Sequence, residues 1–206
     1  LLDMPPGIFK MINGSKFMRY HHTTPQAHLD GRVHDIPQGN VLGGGSSVNA
    51  QVYIRGRPAD YDEWNDLLRG NNDRIGWGWD DVLPHFLKHE DHVDGGPLHA
   101  QGGEWRIEHP RMRWQVLDAF ADAAESAGIP KTRDFNTGDN TGVGYFQVNQ
   151  KDGRRWSAAR GFLKPALKRS NLTVVTGALV ERVLVENGRA TGVVWSRKSV
   201  AEKRVS

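Results

Sequence analysis

Hydrophobic and polar positions fall into helical register at several places along the chain. Ala59 to Leu68 reads as a helix. Val82, Leu83, Phe86 and Leu87 share one helical face behind Asp80, the expected N-cap, and Pro84 is tolerated so near a helix start. Trp114 to Ala127 is the clearest amphipathic segment, with Val116, Leu117, Phe120, Ala123, Ala124 and Ala127 on one side and Gly128 to end it. Ser157 is placed to cap a further helix over 158–169. Strand patterns alternate with these. Trp105, Ile107 and His109 interleave with Arg106 and Glu108, Tyr145 to Asn149 forms a short run, and 171–176 is continuously apolar around Leu172 to Val175. Val180, Val183 and Val185 alternate, and Thr191 to Trp195 returns. Lys151-Asp152-Gly153 and Asn187-Gly188 mark hairpin turns. Residues 1–38 sustain no period and read as loop with short strands, and 134–144 as a turn-rich loop. Helix, hairpin and strand in this order predict an α/β (α+β) architecture of the nucleotide-binding kind.

Composition narrows the function. The 206 residues suit one ordinary domain or part of a larger one, and no apolar run approaches the length of a membrane-spanning helix. Cysteine is absent, which excludes a disulfide scaffold, a thiolate metal site and a cysteine nucleophile; a reducing cytoplasm is compatible with this and is the expected location. Twenty-seven basic residues against 24 acidic ones leave a charge of only +3, too small and too dispersed for nucleic-acid binding. Both ends read as cut, so an internal fragment is expected.

The densest glycine cluster is Gly39-Asn40-Val41-Leu42-Gly43-Gly44-Gly45-Ser46-Ser47-Val48-Asn49-Ala50. Its glycines permit positive φ and close approach to a ligand. Ser46 or Ser47 would cap a short helix running through Val52, whose bare N–H groups and partial positive charge suit an anion such as a pyrophosphate. An ordinary flexible turn is the competing reading. His85, His89 and His92 suggest a metal, but the HExxH order is not met, so no metal site is expected.

Three ordered blocks carry a family resemblance. Gly39 to Asn49, with Tyr53, Arg55-Gly56 and Pro58, is similar to the first signature of the glucose–methanol–choline (GMC) oxidoreductases. Gly76-Trp77 through Leu83-Pro84-His85-Phe86, with Lys88 and Glu90, resembles that family's GW…LP.F.K.E segment. Gly153-Arg154-Arg155-Trp156-Ser157-Ala158-Ala159, followed by Phe162-Leu163, Pro165-Ala166, Arg169 and Asn171-Leu172-Thr173-Val174, resembles its GxRxSxxxxFLxPAxxRxNLxV block. The likeness covers residues 20–195 and leans to the choline-dehydrogenase-like branch.

The resemblance implies an FAD-dependent enzyme oxidising a small-molecule alcohol. It implies a discontinuous FAD-binding domain from residues 1–62 and 152–206, with a substrate (cap) region over 63–151 built on an antiparallel sheet. Trp105 to His109 and Tyr145 to Asn149 would be strands of that sheet, and the helix at 114–127 would pack on it. Carried over by position, Gly44, Gly45, Asn49, Ala50, Gln51 and Val52 would lie near the cofactor, with backbone groups of Val180 near adenine. Asn49 would hydrogen-bond the flavin ring or ribityl chain; a helix-stabilising polar residue is the alternative, as a plain strand valine is for Val180. Where some relatives attach the flavin through histidine, this chain has Val48, which implies non-covalent FAD. The family's GxGxxG fingerprint and its C-terminal histidine base have no counterpart in the chain, so no catalytic residue is named. A non-catalytic scaffold sharing the family's shape is the rival reading.

Overall fold

A computed structural model describes residues 2–11, 14–68, 76–197 and 200–205. The chain divides into two units, Leu1–Pro165 and Ala166–Ser206. The first begins with a one-turn helix, Ile8–Met11 (α1), and an antiparallel pair, Met18–His22 (β1) with Asp35–Gly39 (β2), in register Met18 to Gly39. The short strands expected here carry no hydrophobic period, because both are largely exposed. Gly39 is required by contact. A Cβ there would lie 2.5 Å from the Gly44 carbonyl oxygen, so β2 can reach the glycine loop only without a side chain.

Pro58–Leu68 (α2) and Trp79–His89 (α3) form as the pattern predicts. Tyr61 joins them through aromatic contacts with Trp79 and Phe86. The α3 cap differs from expectation. Gly78 is the N-cap and Asp81, not Asp80, accepts its N–H at 3.1 Å, while Asp62 of α2 takes the Trp79 N–H at 2.9 Å. The chain leaves α3 directly into Glu90–His92 (β3), which pairs in parallel with Trp105–Ile107 (β4). The expected antiparallel sheet is therefore in part a parallel pair. Tyr145 to Asn149 is not a full strand: it contributes one position, Val148, bridged antiparallel to both Glu108 and Val52. Those bridges connect the extended segment 51–53 to the β3–β4 pair.

Gln115–Ser126 (α4) ends at Gly128, whose φ of 90° a side chain would disfavour. Its apolar side is not covered as the pattern suggests. Tyr145 Oη donates to Asp118 at 2.9 Å, but Val116, Leu117 and Phe120 are exposed. Gln150–Lys151 (β5) and Arg154–Arg155 (β6) close the Asp152-Gly153 hairpin with φ of 53° and 72°, a type I′ turn. The helix expected over 158–169 is shorter, a π-turn at Ala159–Leu163 continued by Lys164–Ala166 (α5).

The second unit is an antiparallel meander of Leu179–Glu186 (β7), Arg189–Arg197 (β8) and Val200–Val205 (β9). Asn187 and Gly188, at φ 50° and 75°, make its first turn. The strand expected over 171–176 is absent: the segment has the apolar run but no ladder partner among the described residues. No helix among the described residues is long and apolar enough to cross a membrane.

Candidate functional site

The glycine cluster does not open a helix. Gly44–Ser47 is a single 3-10 turn with Gly43 before it in the left-handed region at φ 87°. Neither serine caps it. Ser46 Oγ donates to the Gly43 carbonyl at 2.6 Å and Ser47 Oγ to the Leu42 carbonyl at 2.8 Å. Several amides of the turn are bonded within it. The Gly44 N–H goes to Val41, the Ser46 N–H to Gly43, and those of Val48 and Asn49 to Gly45. The helix expected to run through Val52 is therefore replaced by one 3-10 turn, which lacks the macrodipole of a longer helix.

The loop instead presents small residues and one amide side chain. An open groove of about 530 Å³ runs between the β1–β2 pair and the turn, lined by Met18, Pro37, Gln38 and Gly39 on one wall and Gly45, Val48 and Asn49 on the other. Nothing lies within 4 Å of a Cβ built on Gly44 or Gly45. Behind this wall stands β6. Arg155, only 1% exposed, donates from Nη1 to the Ser46 carbonyl at 3.1 Å and to Asn49 Oδ1 at 2.9 Å. The Ala158 N–H adds a bond to Ser46 Oγ at 2.9 Å. The glycine cluster and the block around Arg155 are thus stitched together across more than 100 residues of sequence.

The candidate residues separate by position. Gly45 and Asn49 line the groove, Gly44 stands half-buried beside it, and Ala50 and Val52 are exposed. Gln51 is buried, with φ of 70°; its N–H bonds Asn49 Oδ1 at 3.0 Å, its Oε1 accepts from Gln150 at 3.0 Å, and its Nε2 has no partner among the described residues. Val180 lies in the second unit, exposed on β7, opposite Trp195 and next to a bulge at Glu181.

A buried polar cluster was not visible in the sequence pattern. Glu90, fully buried, accepts Arg55 Nη2 at 2.6 Å, the Ala100 N–H at 3.0 Å and His99 Nδ1 at 3.1 Å. His99 Nε2 bonds Asp134 at 2.8 Å. Arg55 also reaches Tyr53 Oη and the Leu98 carbonyl. Burial by itself raises a carboxyl pKa, but the His99, Ala100 and Arg55 donors outweigh it and hold Glu90 below its usual range. Burial works against His99 becoming charged; its two carboxylate partners reverse this and lift it to about 9. Burial also pushes the Tyr53 hydroxyl well above its ordinary value.

His92, His99 and Asp134 offer donor atoms within 4.8 Å of one another, the geometry of a cation site. Several of these atoms are already engaged in hydrogen bonds. His92 Nδ1 accepts the Asp94 N–H at 3.2 Å, while its buried Nε2 has no partner among the described residues. His99 gives both ring N–H groups to carboxylates. His85 and His89, the other members of the sequence trio, lie on α3 outside the cluster. A further groove of about 430 Å³ beside α4 is lined by Arg113, Asp118, Asp122 and Lys131. Lys131 pairs with Asp122 at 2.6 Å, and Asp118 accepts the Tyr145 hydroxyl at 2.9 Å.

A family model described as GMC oxidoreductase matches residues 11–206. The chain is 36% identical over 209 residues to an oxygen-dependent choline dehydrogenase of Rhizobium johnstonii, an alignment covering 98% of this chain and 36% of the relative. Among solved structures, pyridoxine 4-oxidase from Mesorbium loti superposes with a TM-score of 0.88 at 33% identity, covering 99% of this chain and 40% of that one. An FAD-dependent oxidoreductase from Chaetomium thermophilum superposes with a TM-score of 0.79 at 28% identity, covering 90% and 34%. The chain therefore spans little more than a third of the length of these proteins.

Proposed function

The chain belongs to the GMC oxidoreductases, and from that premise we propose that it forms part of an FAD-dependent enzyme that oxidises the CH–OH group of a small alcohol, choline-like in class. The observation that carries the reading is the groove wall. Gly45 and Asn49 face open space on one side, and the block around Arg155 fixes them from the other. Small residues admit a flat ring system or its ribityl chain to van der Waals distance, and Asn49 contributes a directed hydrogen bond. Bound FAD supplies the two-electron acceptance that alcohol oxidation requires.

The chain's own residues position that group. Gly44 and Gly45 give it room, the Asn49 amide orients it, and the buried Gln51 side chain braces the segment against Gln150. Val48 stands where covalent attachment would need a nucleophilic nitrogen, which favours non-covalent FAD. Residues 1–62 and 152–206 form the cofactor-binding domain in this reading, supported for the part up to Pro165 by the bonds from Arg155 and Ala158 to Ser46 and Asn49. Residues 63–151 form the substrate side. The general base that takes the hydroxyl proton comes from outside this chain.

The test is purification of the full-length gene product. It should be yellow, release its flavin to the supernatant on acid precipitation, and reduce an artificial electron acceptor when given choline or another small alcohol. A colourless protein that takes up no added FAD would refute the reading, and flavin retained in the acid pellet would refute the non-covalent part.

A further inference from the structure

We infer that Arg155 is a positioning residue for the flavin site, acting through Asn49. The inference rests on the FAD reading above and adds a residue to it. Arg155 is among the most completely buried side chains in the first unit, yet no ion pair to it is formed among the described residues. Asp3, the carboxylate whose charge acts on it, pairs with Arg160 instead. Burial consequently lowers the Arg155 pKa, with Asp3 opposing only weakly. A guanidinium buried without a counter-charge destabilises a fold, and an apolar side chain of equal volume would fill the same space at lower cost.

What the guanidinium does in that place is fix the groove wall. Nε holds the Leu2 carbonyl at 2.9 Å while Nη1 spans the Ser46 carbonyl and Asn49 Oδ1. The Gln51 N–H gives Asn49 Oδ1 a second donor. Two donors on one oxygen decide which end of the amide faces inward. The reversed orientation would press an NH2 group against a guanidinium and a backbone N–H. What Asn49 offers the groove is therefore its Nδ2 donor, matched to a hydrogen-bond acceptor such as a flavin carbonyl or a ribityl hydroxyl. Lysine could keep the charge at 155, but a single ammonium cannot reproduce the planar fork that serves all three oxygens.

The experiment is FAD titration of the full-length apoprotein, read by flavin fluorescence, in wild type, Arg155→Lys, Asn49→Ala, the double variant and Asn49→Asp. Arg155→Lys and Asn49→Ala should each weaken binding about tenfold, and the double variant should also sit near tenfold, because both remove one directed bond. Asn49→Asp gives Arg155 a carboxylate. Its thermal midpoint should equal or exceed wild type while its FAD affinity falls as in Asn49→Ala, a combination that a merely structural role for Arg155 would not produce. The inference is overturned if Arg155→Lys binds FAD like wild type, if the two effects multiply to about a hundredfold, or if Asn49→Asp keeps full affinity. Should Arg155→Lys not fold, the Asn49→Asp result decides alone. Wild-type protein that binds no FAD overturns the FAD reading itself, and this inference with it.

Discussion

Conformational stability should peak near pH 6.5 and fall on both sides, because two stacked histidines titrate in opposite directions. The rings of His92 and His99 lie 3.9 Å apart and 20° from parallel. Burial disfavours the cation on His99, but hydrogen bonds to Asp134 and Glu90 and their charges more than compensate, and its pKa rises from 6.5 to about 9. For a group whose folded pKa is raised, the stability it contributes is complete below the unfolded value and is lost as pH climbs through the folded one. The rise corresponds to on the order of 3 kcal/mol, undiscounted because the His99 side chain is only 4% exposed. His92 behaves in the reverse sense. Burial, then the neighbouring His99 charge, lowers its pKa, against weaker opposition from Gln147, Glu90 and Asp134. The folded state therefore keeps it neutral, and stability is lost as pH falls below 6.5 and the unfolded chain takes up the proton. Glu90 and Asp134, both held below their ordinary values, steepen the loss at lower pH. Tyr53, whose hydroxyl burial pushes well above this window, and the Arg55 guanidinium also face the cluster. Urea unfolding of the full-length protein from about pH 5 to about pH 9.5 measures the profile. In His99→Gln the alkaline limb should disappear while the acid limb remains. A wild-type profile flat between pH 6.5 and 9 would refute the reasoning, as would an alkaline limb that survives the substitution.

Two substitutions probe the same unit by other routes. Glu90→Gln preserves volume but leaves the Arg55 guanidinium and the His99 cation buried without their shared anion; a loss of about 3–5 kcal/mol is expected in denaturant titration, and a loss under about 1 kcal/mol would mean the cluster is already hydrated. Ile107→Ala, at a fully buried position of β4, should cost about 2–5 kcal/mol in the same measurement, with a value near zero showing that the site collapses around the smaller side chain.

Local chemistry made part of this structure legible in advance. Helices α2 and α4 follow from period and terminators, and the turns at Asp152-Gly153 and Asn187-Gly188 follow from residues that accept positive φ. What sequence reasoning missed depends on distant partners. β1 and β2 carry no apolar alternation because neither buries a face. The run at 171–176 has the composition of a buried strand, yet a strand exists only where another pairs with it. Ser46 and Ser47 look like the caps of a longer helix, whereas their hydroxyls bond back to Gly43 and Leu42 and close the 44–47 turn. The Glu90–His99–Asp134 cluster joins residues 9 and 35 positions apart. Charged side chains of that kind are ordinarily taken for surface positions. One signal could have exposed it. Glu90 and Arg55 both stand in motif blocks, and a motif-bound acid and base of opposite charge are natural partners.

The segment from 51 to 55 shows why the polar interior matters to the proposed site. It alternates like a strand, but inside out: Gln51, Tyr53 and Arg55 are buried, while Val52 and Ile54 are 41% and 47% exposed. An ordinary half-buried strand does the reverse. The inversion is sustained because each buried member is hydrogen-bonded, Gln51 to Gln150, Tyr53 to Arg55, and Arg55 to Glu90, Leu98 and Asn136. Upstream, Arg155 does the same for Ser46 and Asn49. Two guanidiniums thus pin a stretch of about ten residues by its polar groups, and beside the exposed Asn49 the residues left facing outward include the small or apolar Gly45, Ala50, Val52 and Ile54. Satisfied polar networks specify one geometry more sharply than apolar packing does, even where they add little to stability. A surface that must meet a planar cofactor with a single directed bond gains more from that fixed geometry than from additional hydrophobic burial.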